Sequence, residues 1–454
     1  MNRKAGKITL IGAGLNGPLL ALGLIKRGFD VDIYERRPDM RRVKISAGRS
    51  INLALSTRGI YALTEAGLWQ GMQPIIIPMK GRTMHAPDSK LTFQAYGKDE
   101  SEVINSVSRA ELNIALLNAA EAQGVKIHFE RRCTGIRFKK RQLHLRDEST
   151  GRESDVEYQV VIGCDGSASA LREAMLRLNR FNFSQEYLNY GYKELTIPAG
   201  SGGKHALETH ALHIWPRGNY MLIALPNIDG TFACILFLPF EGSDSFEGLT
   251  KDALVQEFFQ TRFPDVVPLM PDLAESFFAN PTGTMVTIKC SPWHVEGQAL
   301  VLGDAAHAIV PFFGQGINCG FEDCTILLEL LDRHGADWEK VFREFEEARK
   351  INTDAIADMA IDNFVEMRDR VGDRRFLLRK QVELALEAKY PRQFVPKYAM
   401  VTFHRVPYAT ALERGQVQER ILAELCQGIE RVDDLDWTKA DALIRNGLPP
   451  MESA

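Results

Sequence analysis

Three glycines near the N-terminus have the spacing of a phosphate-binding loop. The segment from Gly12 to Gly17, GAGLNG, is a G-x-G-x-x-G pattern between an apolar run, Lys7 to Ile11, and a helix-forming stretch, Leu15 to Arg27. The first glycine permits a tight turn, the second lets the backbone approach a pyrophosphate, and the third allows close helix packing. The phosphate charge would then meet the free N–H groups at the positive end of the helix.

An acidic residue follows where a ribose would need one. Val31 to Tyr34 is a second apolar run, so the opening of the chain predicts a βαβ unit, and Glu35 comes at the end of its second strand. A carboxylate at that position accepts hydrogen bonds from ribose hydroxyls. Strand, helix and acid together predict a dinucleotide site, but they do not distinguish FAD from NAD.

A second glycine-rich segment, from Gly303 to Asn318, could make that choice. A buried strand, Ala299 to Leu302, leads to Asp304, which could bind the ribityl and ribose hydroxyls that join the two halves of FAD. The helix N-terminus at Gly316 to Asn318 could face the flavin pyrimidine, where negative charge collects on reduction. A plain strand-turn-helix capped by Asp304 explains the same residues equally well. His307 is interpreted as a buried histidine that orients the loop and not as a catalyst.

The composition suits a globular protein that acts on small molecules. The 454 residues suit two or three domains, and 45% of them are hydrophobic and 25% charged. The formal net charge of −4 gives no reason to expect a nucleic-acid partner. The seven cysteines are odd in number and never spaced as C-x-x-C, which predicts neither disulfides nor a metal site and favours a reducing compartment.

The N-terminal apolar run imitates a signal peptide, because basic residues precede it. The glycine motif interrupts the run, and no later stretch approaches the ~18 uninterrupted apolar residues of a spanning helix. We therefore expect a cytoplasmic protein without a membrane anchor.

The middle of the chain predicts a sheet and the last third predicts helices. Three β-rich runs, Ala211 to Trp215, Tyr220 to Leu225 and Phe232 to Phe237, are separated by turn-forming residues, which is typical of antiparallel strands. From Phe321 onward the pattern is mostly helical, with charged faces. A further strand, Tyr158 to Gly163, ends in Cys164-Asp165-Gly166.

Taken together, the glycine motif with Glu35, the Asp165-Gly166 segment with Arg172, and the Gly303-Asp304 loop resemble the single-component flavoprotein aromatic hydroxylases. The resemblance is closest to the branch of that family that hydroxylates L-kynurenine, and it extends from the first strand to about Tyr408. The segments that carry it are GRSINLALS at 48–56, SVSRAELN at 106–113, GYKELTIP at 191–198, HIWPRGNYMLIALPN at 213–227, GDAAHAIVPFFGQGINCGFED at 303–323 and KYAMVTF at 397–403.

The resemblance implies a reaction and its cofactors. NADPH would reduce a tightly bound, non-covalent FAD, and the reduced flavin would react with O₂ to form a C4a-hydroperoxide. The distal oxygen would pass to the ring of L-kynurenine and give 3-hydroxy-L-kynurenine, a step of tryptophan degradation by the kynurenine pathway. The chain has no second G-x-G-x-x-G, which suits a family in which NADPH has no domain of its own.

The fold implied is α+β in three parts. A discontinuous α/β FAD-binding domain of the Rossmann type would comprise residues 1–80, 101–180 and 286–335. An antiparallel β-sheet domain on the substrate side would comprise 81–100 and 181–285, and a C-terminal helical domain 336–454. Neither a monomer nor a homodimer is excluded by the sequence.

Flavin contacts are implied at positions that match the family's motifs. They are Gly12, Gly14, Leu15, Gly17, Glu35, Arg36, Arg37, Ala54, Arg109, Cys133, Asp304, Gly316, Ile317 and Asn318. Ile317 stands where methionine is usual in the family, a change that we expect to be mild.

Substrate contacts are implied in the same way. Arg82 would bind the amino-acid carboxylate with two parallel hydrogen bonds, and Tyr96 and Tyr398 would bond to the same group. Ala355, Met359, Asn363 and Met367 recur every four residues and so place one amide on an apolar helix face, where it needs either backbone groups or a ligand as its partner. The resemblance favours the ligand, which would be the amino-acid end of the substrate. Phe237, Phe312 and Phe313 would supply apolar walls for the aromatic ring.

Two other functions stay open on the sequence. One is a related hydroxylase of a simple phenol or benzoate, against which Arg82, Tyr96 and Asn363 argue because they suit an α-amino acid. The other is a non-catalytic binding protein on the same fold, such as the prenyl-protein chaperones, because a fold does not fix a function. Residues after Gln416 are charged and lack the hydrophobic C-terminal anchor of animal members, so no anchor is expected.

Overall fold

The computed structural model describes residues 6–43, 52–369 and 374–451, apart from the side chains of residues 365, 367–369 and 374. The first residues of the GRSINLALS segment and the side chain of Met367 thus lie outside the described part. The chain forms two compact units. Unit 1 comprises Met1–Ile76, Val107–Leu188 and Met285–Ala357, and unit 2 comprises Ile77–Ser106, Asn189–Thr284 and Asp358–Ala454. The three-domain division drawn from the sequence stays a prediction.

The described part of the chain contains the elements that the sequence analysis predicts, together with several that it does not. The strands are β1 (Lys7–Ile11), β2 (Asp30–Tyr34), β3 (Asn52–Leu55), β4 (Ile76–Met79), β5 (Gly81–His85), β6 (Leu91–Ala95), β7 (Ile104–Ser108), β8 (Lys126–His128), β9 (Arg131–Arg137), β10 (Gln142–Asp147), β11 (Glu153–Glu157), β12 (Val160–Gly163), β13 (Asn182–Ile197), β14 (Ala211–Pro216), β15 (Met221–Pro226), β16 (Phe232–Pro239), β17 (Thr282–Ser291), β18 (His294–Val295) and β19 (Ala299–Val301). The helices are α1 (Asn16–Lys26), α2 (Thr57–Glu65), α3 (Trp69–Met72), α4 (Arg109–Ala122), α5 (Ala170–Met175), α6 (Asp252–Arg262), α7 (Leu273–Ala279), α8 (Asp304–His307), α9 (Gly316–His334), α10 (Trp338–Asp369), α11 (Arg374–Lys389), α12 (Lys397–Thr402), α13 (Tyr408–Leu425) and α14 (Trp437–Gly447).

Unit 1 is built on a mainly parallel sheet in the order β18-β19-β12-β1-β2-β8. The predicted opening βαβ unit is confirmed, since β1 pairs in parallel with β2. The register places Ile11 beside both Tyr34 and Gly163, and Gly163 beside Val301. The carboxyl ends of β1, β2, β12 and β19 therefore meet at one edge of the sheet, where ligands bind in open α/β folds.

Unit 2 contains a sheet in the order β17-β13-β16-β15-β14-β5-β6. The predicted antiparallel run is confirmed, because β14 pairs antiparallel with β15 and β15 with β16. The turns between them rest on Gly218 and Gly230, whose φ angles of 73° and 86° favour glycine. The pairing of β14 with β5 is parallel, and it joins two strands from remote segments that no hairpin connects.

Apolar side chains fill each unit. In unit 1 the core includes residues of α1, α4 and α9 packed around the parallel strands. In unit 2 the aromatic residues of α6 and α7 cover one face of β14 to β16, and a separate cluster joins α11, α13 and α14. The predicted α+β class is confirmed by these layers. No described helix is long and apolar enough to span a bilayer.

A chain of hydrogen bonds is buried in the sheet of unit 2. His213 Nε2 lies 2.9 Å from the carbonyl of Glu208, which can only accept, so this nitrogen donates and the Nδ1 of neutral His213 accepts. That Nδ1 lies 2.9 Å from His85 Nε2, and Asp265 lies 3.0 Å from the other ring nitrogen of His85. Burial lowers the pKa of His213 from 6.5 to about 4, and the neighbouring His85 adds to the effect.

We expect His213 to make the protein sensitive to acid. The unfolded chain takes up a proton on this histidine below its ordinary pKa of 6.5, whereas the folded chain does so only near 4, so acid favours unfolding. Between pH 7 and 5 this linkage should lower the free energy of unfolding of the wild type by about 2 kcal/mol. The variant His213→Gln lacks the titrating group and should not show this loss. Urea unfolding of both proteins at the two pH values measures the difference. Equal losses would show that His213 is not the titrating group.

Candidate active site

The first glycine motif lies at the edge where the parallel strands end. Gly12 donates its N–H to the carbonyl of Tyr34 at 2.8 Å and has a φ of 101°. A Cβ on Gly12 would stand 2.5 Å from the carbonyl oxygen of Cys164, and one on Gly17 would stand 2.1 Å from the oxygen of Gly12. A Cβ on Gly14 would meet no described atom within 4 Å. Two glycines are thus required by the fold itself, whereas Gly14 leaves open space where a pyrophosphate could approach.

Glu35 follows β2 directly and is buried at this edge. One carboxylate oxygen accepts the N–H of Ala13 at 2.8 Å, and the other accepts the N–H and the Nε of Arg37, both at 2.9 Å. A carboxylate accepts about four hydrogen bonds, so Glu35 keeps capacity for a ribose hydroxyl while it holds the glycine loop.

Helix α4 supports the glycine loop from its other side. The side chain of Asn113 donates to the carbonyls of Ala13 and Gly14 at 3.2 and 3.1 Å. Arg109 is exposed at the first position of the same helix, one turn before Asn113 and so on the same face. A cation at a helix N-terminus is unfavourable unless an anion lies near it, so Arg109 suits a phosphate.

Asp304 is exposed and is the first residue of α8. Gly303 occupies the N-cap position, so the interpretation of Asp304 as a capping residue is wrong. The φ of 62° and ψ of −143° at Gly303 lie in a region that only glycine adopts readily, and this conformation turns the chain from β19 into α8. Among the described residues the carboxylate of Asp304 has no hydrogen-bond partner, which suits a ligand hydroxyl.

The start of α9 is held by Asn318, which is fully buried. Its side-chain oxygen accepts the N–H of Ser56 at 2.9 Å, and its Nδ2 donates to the carbonyls of Ala54 and Gly314 at 2.8 and 2.9 Å. The amide is therefore occupied within the protein, and a flavin contact at Asn318 would use its backbone N–H. Gln315 precedes the helix without a side-chain cap, so the first N–H groups of α9 are not capped by it.

Asn16 joins the two motifs, and sequence reasoning missed it. An ideal Cβ on Gly303 would stand 2.1 Å from Asn16 Nδ2, and one on Gly320 would stand 2.5 Å from the same nitrogen. The amide thus lies against both glycines of the second segment. The only sequence signal is an asparagine within the glycine motif, and nothing in the sequence connects it with residues 303 and 320.

The remaining predicted flavin residues are divided between surface and core. Arg36 is exposed, and the side chain of Arg37 is 61% exposed while it pairs with Glu35. Leu15 is buried, and Ile317 packs against the core of unit 1. Cys133 is buried in β9, and burial raises the pKa of its thiol to about 12, so this thiol is not reactive. All seven cysteines are free.

The segment after β12 is tied to the Asp304 loop by Arg172. This buried guanidinium donates to the carbonyl of Ala305 at 2.8 Å and to the carbonyl of Ser167. Asp165 accepts the N–H of Ala170 at 2.7 Å, and burial raises the pKa of its carboxyl. Arg172 therefore joins two strand ends that the family resemblance associates with flavin binding.

A buried ion network lies beneath α9. Glu322 pairs with Arg58 and, at 2.6 Å, with Arg349. Asp323 lies 2.7 Å from Arg349 Nε and 2.6 Å from His307 Nε2. Burial alone would lower the pKa of His307, but Asp323 outweighs it and holds that pKa well above its ordinary value. Burial likewise opposes ionisation of Asp323, yet His307 and Arg349 lower its pKa.

Part of this network has the composition of a metal site. Ligand atoms of His307, Cys319 and Asp323 lie within 4.8 Å of one another. The guanidinium of Arg349 lies among them, 2.7 Å from Asp323 Oδ1 and 3.3 Å from Cys319 Sγ. Its fixed positive charge repels a metal cation, so the three residues are better explained as partners of Arg349.

The substrate residues predicted in unit 2 cluster. Arg82 Cζ lies 5.8 Å from the ring centroid of Tyr96 and 5.6 Å from that of Tyr398, and the two rings stack 6.0 Å apart. Among the described residues the buried Nε of Arg82 has no hydrogen-bond partner. A guanidinium nitrogen in this state beside two phenols suits a carboxylate ligand, because the ligand would supply the missing acceptor.

The other predicted substrate residues are buried or half-buried, and they are divided between the two units. Asn363 is half-buried on α10, and Ala355 and Met359 of the same predicted face are buried, while the side chain of Met367 lies outside the described part. Phe237 is buried in β16 of unit 2. Phe312 and Phe313 are buried in unit 1, directly before the turn into α9.

Comparison with known proteins decides the family. A family model described as "FAD binding domain" matches residues 6–339. Kynurenine 3-monooxygenase of Myxococcus xanthus is 53% identical over 98% of this chain and 96% of its own length. The enzymes of that name from Flavobacterium johnsoniae and Xanthomonas campestris are 47% and 44% identical over 92% and 98% of this chain and 93% and 98% of their own lengths. The chain belongs to the kynurenine 3-monooxygenase family.

Solved structures agree on the fold. The tetrameric form of 2-methyl-3-hydroxypyridine-5-carboxylic acid oxygenase superposes with a TM-score of 0.67 at 18% identity, covering 82% of this chain and 94% of that one. The tetracycline destructase Tet(51) gives a TM-score of 0.60 at 17% identity, covering 82% and 94%. At such identities the likeness concerns architecture, and it confirms the predicted flavoprotein hydroxylase fold.

Family and geometry together make the chain an FAD-dependent aromatic monooxygenase, as predicted. The protein surface described above fits the cofactor: Gly14 leaves space beside the backbone, and Asp304 and Arg109 offer an acceptor and a cation that no described residue uses. The contacts assigned to individual flavin residues stay predictions.

We expect Gly14→Ala to separate FAD binding from folding. A methyl group at Gly14 meets no atom of the described residues within 4 Å, so the thermal stability of the chain without FAD should change little. The same methyl group would enter the space through which a pyrophosphate approaches, so FAD affinity should fall at least about tenfold. Titration of flavin fluorescence measures this, with Gly17→Ala as the control that should impair folding itself. Unchanged FAD affinity in Gly14→Ala would move the pyrophosphate elsewhere.

Proposed function

We propose that this enzyme hydroxylates L-kynurenine to 3-hydroxy-L-kynurenine, with FAD as the bound cofactor and NADPH and O₂ as co-substrates. The observation that carries the proposal is the cluster of Arg82, Tyr96 and Tyr398 in a chain whose relatives are named kynurenine 3-monooxygenase. It suits the carboxylate of an amino acid. Tryptophan degradation by the kynurenine pathway would be its setting.

Arg82 would bind the substrate carboxylate. The guanidinium forms two parallel hydrogen bonds to a carboxylate, a geometry that lysine lacks. Burial raises the pKa of Tyr96 and of Tyr398, so both phenols keep their protons and can donate to the same carboxylate. The cation and the two donors together would set the position of the amino-acid end.

The amino-acid end favours kynurenine over a simple benzoate. A benzoate would satisfy Arg82 but would leave the amide of Asn363 without a role in binding. An α-amino acid has an ammonium group as well as a carboxylate, and the ammonium can donate a hydrogen bond to an amide oxygen. We therefore assign Asn363 to the same substrate end, while Phe237, Phe312 and Phe313 would exclude water from the aromatic ring.

FAD, when bound and reduced, would supply the oxygen activation that no side chain of this protein can supply. Gly12, Gly14, Glu35, Arg109 and Asp304 would hold its pyrophosphate and hydroxyls. The first N–H groups of α9, at Gly316 to Asn318, would favour negative charge on the ring that they face. The other flavin residues predicted from the family belong to the same proposal.

Further parts of the proposal concern the cell and the assembly. The free cysteines suit a reducing compartment, and we infer a cytoplasmic enzyme. It would act as a monomer or a homodimer. The α/β residues 1–80, 101–180 and 286–335 would form the FAD domain, with a substrate-side sheet and a C-terminal helical domain completing the chain.

We expect Arg82→Ala to raise the KM for L-kynurenine at least about tenfold, because the buried carboxylate of the substrate would lose its charged partner. The FAD content should stay unchanged. Arg82→Lys should recover only part of the affinity. Steady-state NADPH oxidation with product analysis measures both. Lys80→Ala is the matched control, since Lys80 is exposed and pairs with Glu100 at 3.3 Å. An unchanged KM in Arg82→Ala would remove Arg82 from the carboxylate site.

We expect L-kynurenine to accelerate reduction of the flavin by NADPH at least about tenfold, by favouring a reducible conformation. Flavin reduced without substrate would waste NADPH as H₂O₂, so such an enzyme benefits from delayed reduction. Anaerobic stopped-flow measurements test this in the wild type and in Asn363→Ala, which should lose much of the acceleration. Asn352→Ala, on the same helix, is the control because its amide bonds to the carbonyl of Ala348.

A related hydroxylase with another substrate would give a different result in the same experiment. Stimulation by benzoate or a phenol in place of kynurenine would favour the related hydroxylase. Equal reduction rates with and without kynurenine would contradict the coupling but not the hydroxylation, which mass analysis of the aerobic product tests independently.

A further inference from the structure

Asp323 contacts the loop that carries Asp304, although it lies on another element. Its Oδ2 accepts the N–H of Gly303 at 3.0 Å and lies 2.6 Å from His307 Nε2. Gly303 immediately precedes Asp304, and His307 ends the same short helix. One carboxylate oxygen therefore holds both ends of the Asp304 segment.

The other oxygen of Asp323 fixes the carboxylate itself. It lies 2.7 Å from Arg349 Nε, and Arg349 also donates to the carbonyl of Cys319 at 3.3 Å. Asp323 and Arg349 are both almost wholly buried. The carboxylate cannot turn without leaving a buried guanidinium or a backbone N–H unpaired, which is costly.

The conformation of Gly303 explains why such a clamp is useful. The residue has a φ of 62° and a ψ of −143°, outside the basins of other residues, and its carbonyl accepts the N–H groups of Ala306 and His307. The bond from Asp323 satisfies its N–H in this conformation. Asp304 follows directly, so the direction of its carboxylate depends on this peptide.

We propose that Asp323 is a positioning residue for the flavin: its carboxylate holds the Gly303 peptide and His307, and thereby aims Asp304 at the cofactor hydroxyls. Asp323 does not touch the cofactor. It also lies on α9, whose first turn carries Gly316 to Asn318, so the clamp sets the two flavin-facing segments of unit 1 relative to each other.

Glu322 offers a matched control. It is adjacent in sequence, similarly buried and paired with Arg58 and Arg349, but no hydrogen bond of its carboxylate reaches residues 303–307 in the described part of the chain. A general weakening of the ion network would affect Glu322→Gln and Asp323→Asn alike. A positioning role predicts that only the change at Asp323 releases FAD.

The test measures FAD affinity directly. Purified holoenzyme is diluted, and the fluorescence of released FAD gives the dissociation constant for the wild type, Asp323→Asn, Asp323→Glu and Glu322→Gln. We expect both Asp323 variants to raise it at least about tenfold, and Glu322→Gln to raise it less than about threefold. Asp323→Glu keeps the charge for Arg349, so it provides the result if Asp323→Asn fails to fold.

A double-mutant cycle tests whether Asp323 acts on FAD binding through Asp304. If Asp323 acts through Asp304, then Asp323→Glu should weaken FAD binding much less in an Asp304→Asn background than in the wild type. Independent effects of the two changes would overturn the proposal. So would an unchanged dissociation constant in the Asp323 variants, or an equal loss of FAD in Glu322→Gln.

Discussion

The parallel register of β1, β2, β12 and β19 is the constraint on which the rest of unit 1 depends. It places Ile11, Tyr34, Gly163 and Val301 at one edge, so the four segments that follow leave the sheet side by side. Their backbones then approach so closely that Gly12 tolerates no side chain. Gly12 and Gly17 are therefore required by packing, whereas the open space beside Gly14 is available to the cofactor.

The second constraint is the satisfaction of buried charge. Helix α9 buries Glu322 and Asp323, which would be strongly unfavourable in an apolar core without Arg58, Arg349 and His307. Replacing such a network by apolar residues often leaves stability unchanged or increased. Here the network also connects two elements, because Asp323 bonds the start of the Asp304 loop to the helix that carries Asn318.

The predicted substrate residues of unit 2 differ from this network in how their polar atoms are paired. In unit 2 the rings of Tyr96 and Tyr398 lie beside Arg82, and no described residue bonds to its Nε, so this cluster is incomplete as a stabilising interaction. By contrast, the chain from Asp265 to His85 and His213 of the same sheet is complete at its histidines, because all four of their ring nitrogens are bonded within the protein. Complete polar chains stabilise a sheet, whereas an unsatisfied cation next to donors suits a ligand.

The sequence by itself determined the elements and the family, because glycine spacing, apolar periodicity and turn residues act over short stretches of chain. It indicated Gly12, Glu35 and Asp304 for this reason, whereas Arg82 was implied only by the resemblance to the family. Only the tertiary structure decided that Asp304 is not a cap, and that Asn16, Asn113 and Asp323 support the site. Their partners lie up to hundreds of residues away, and no local pattern records which remote backbone an amide or a carboxylate will meet once the strands have paired.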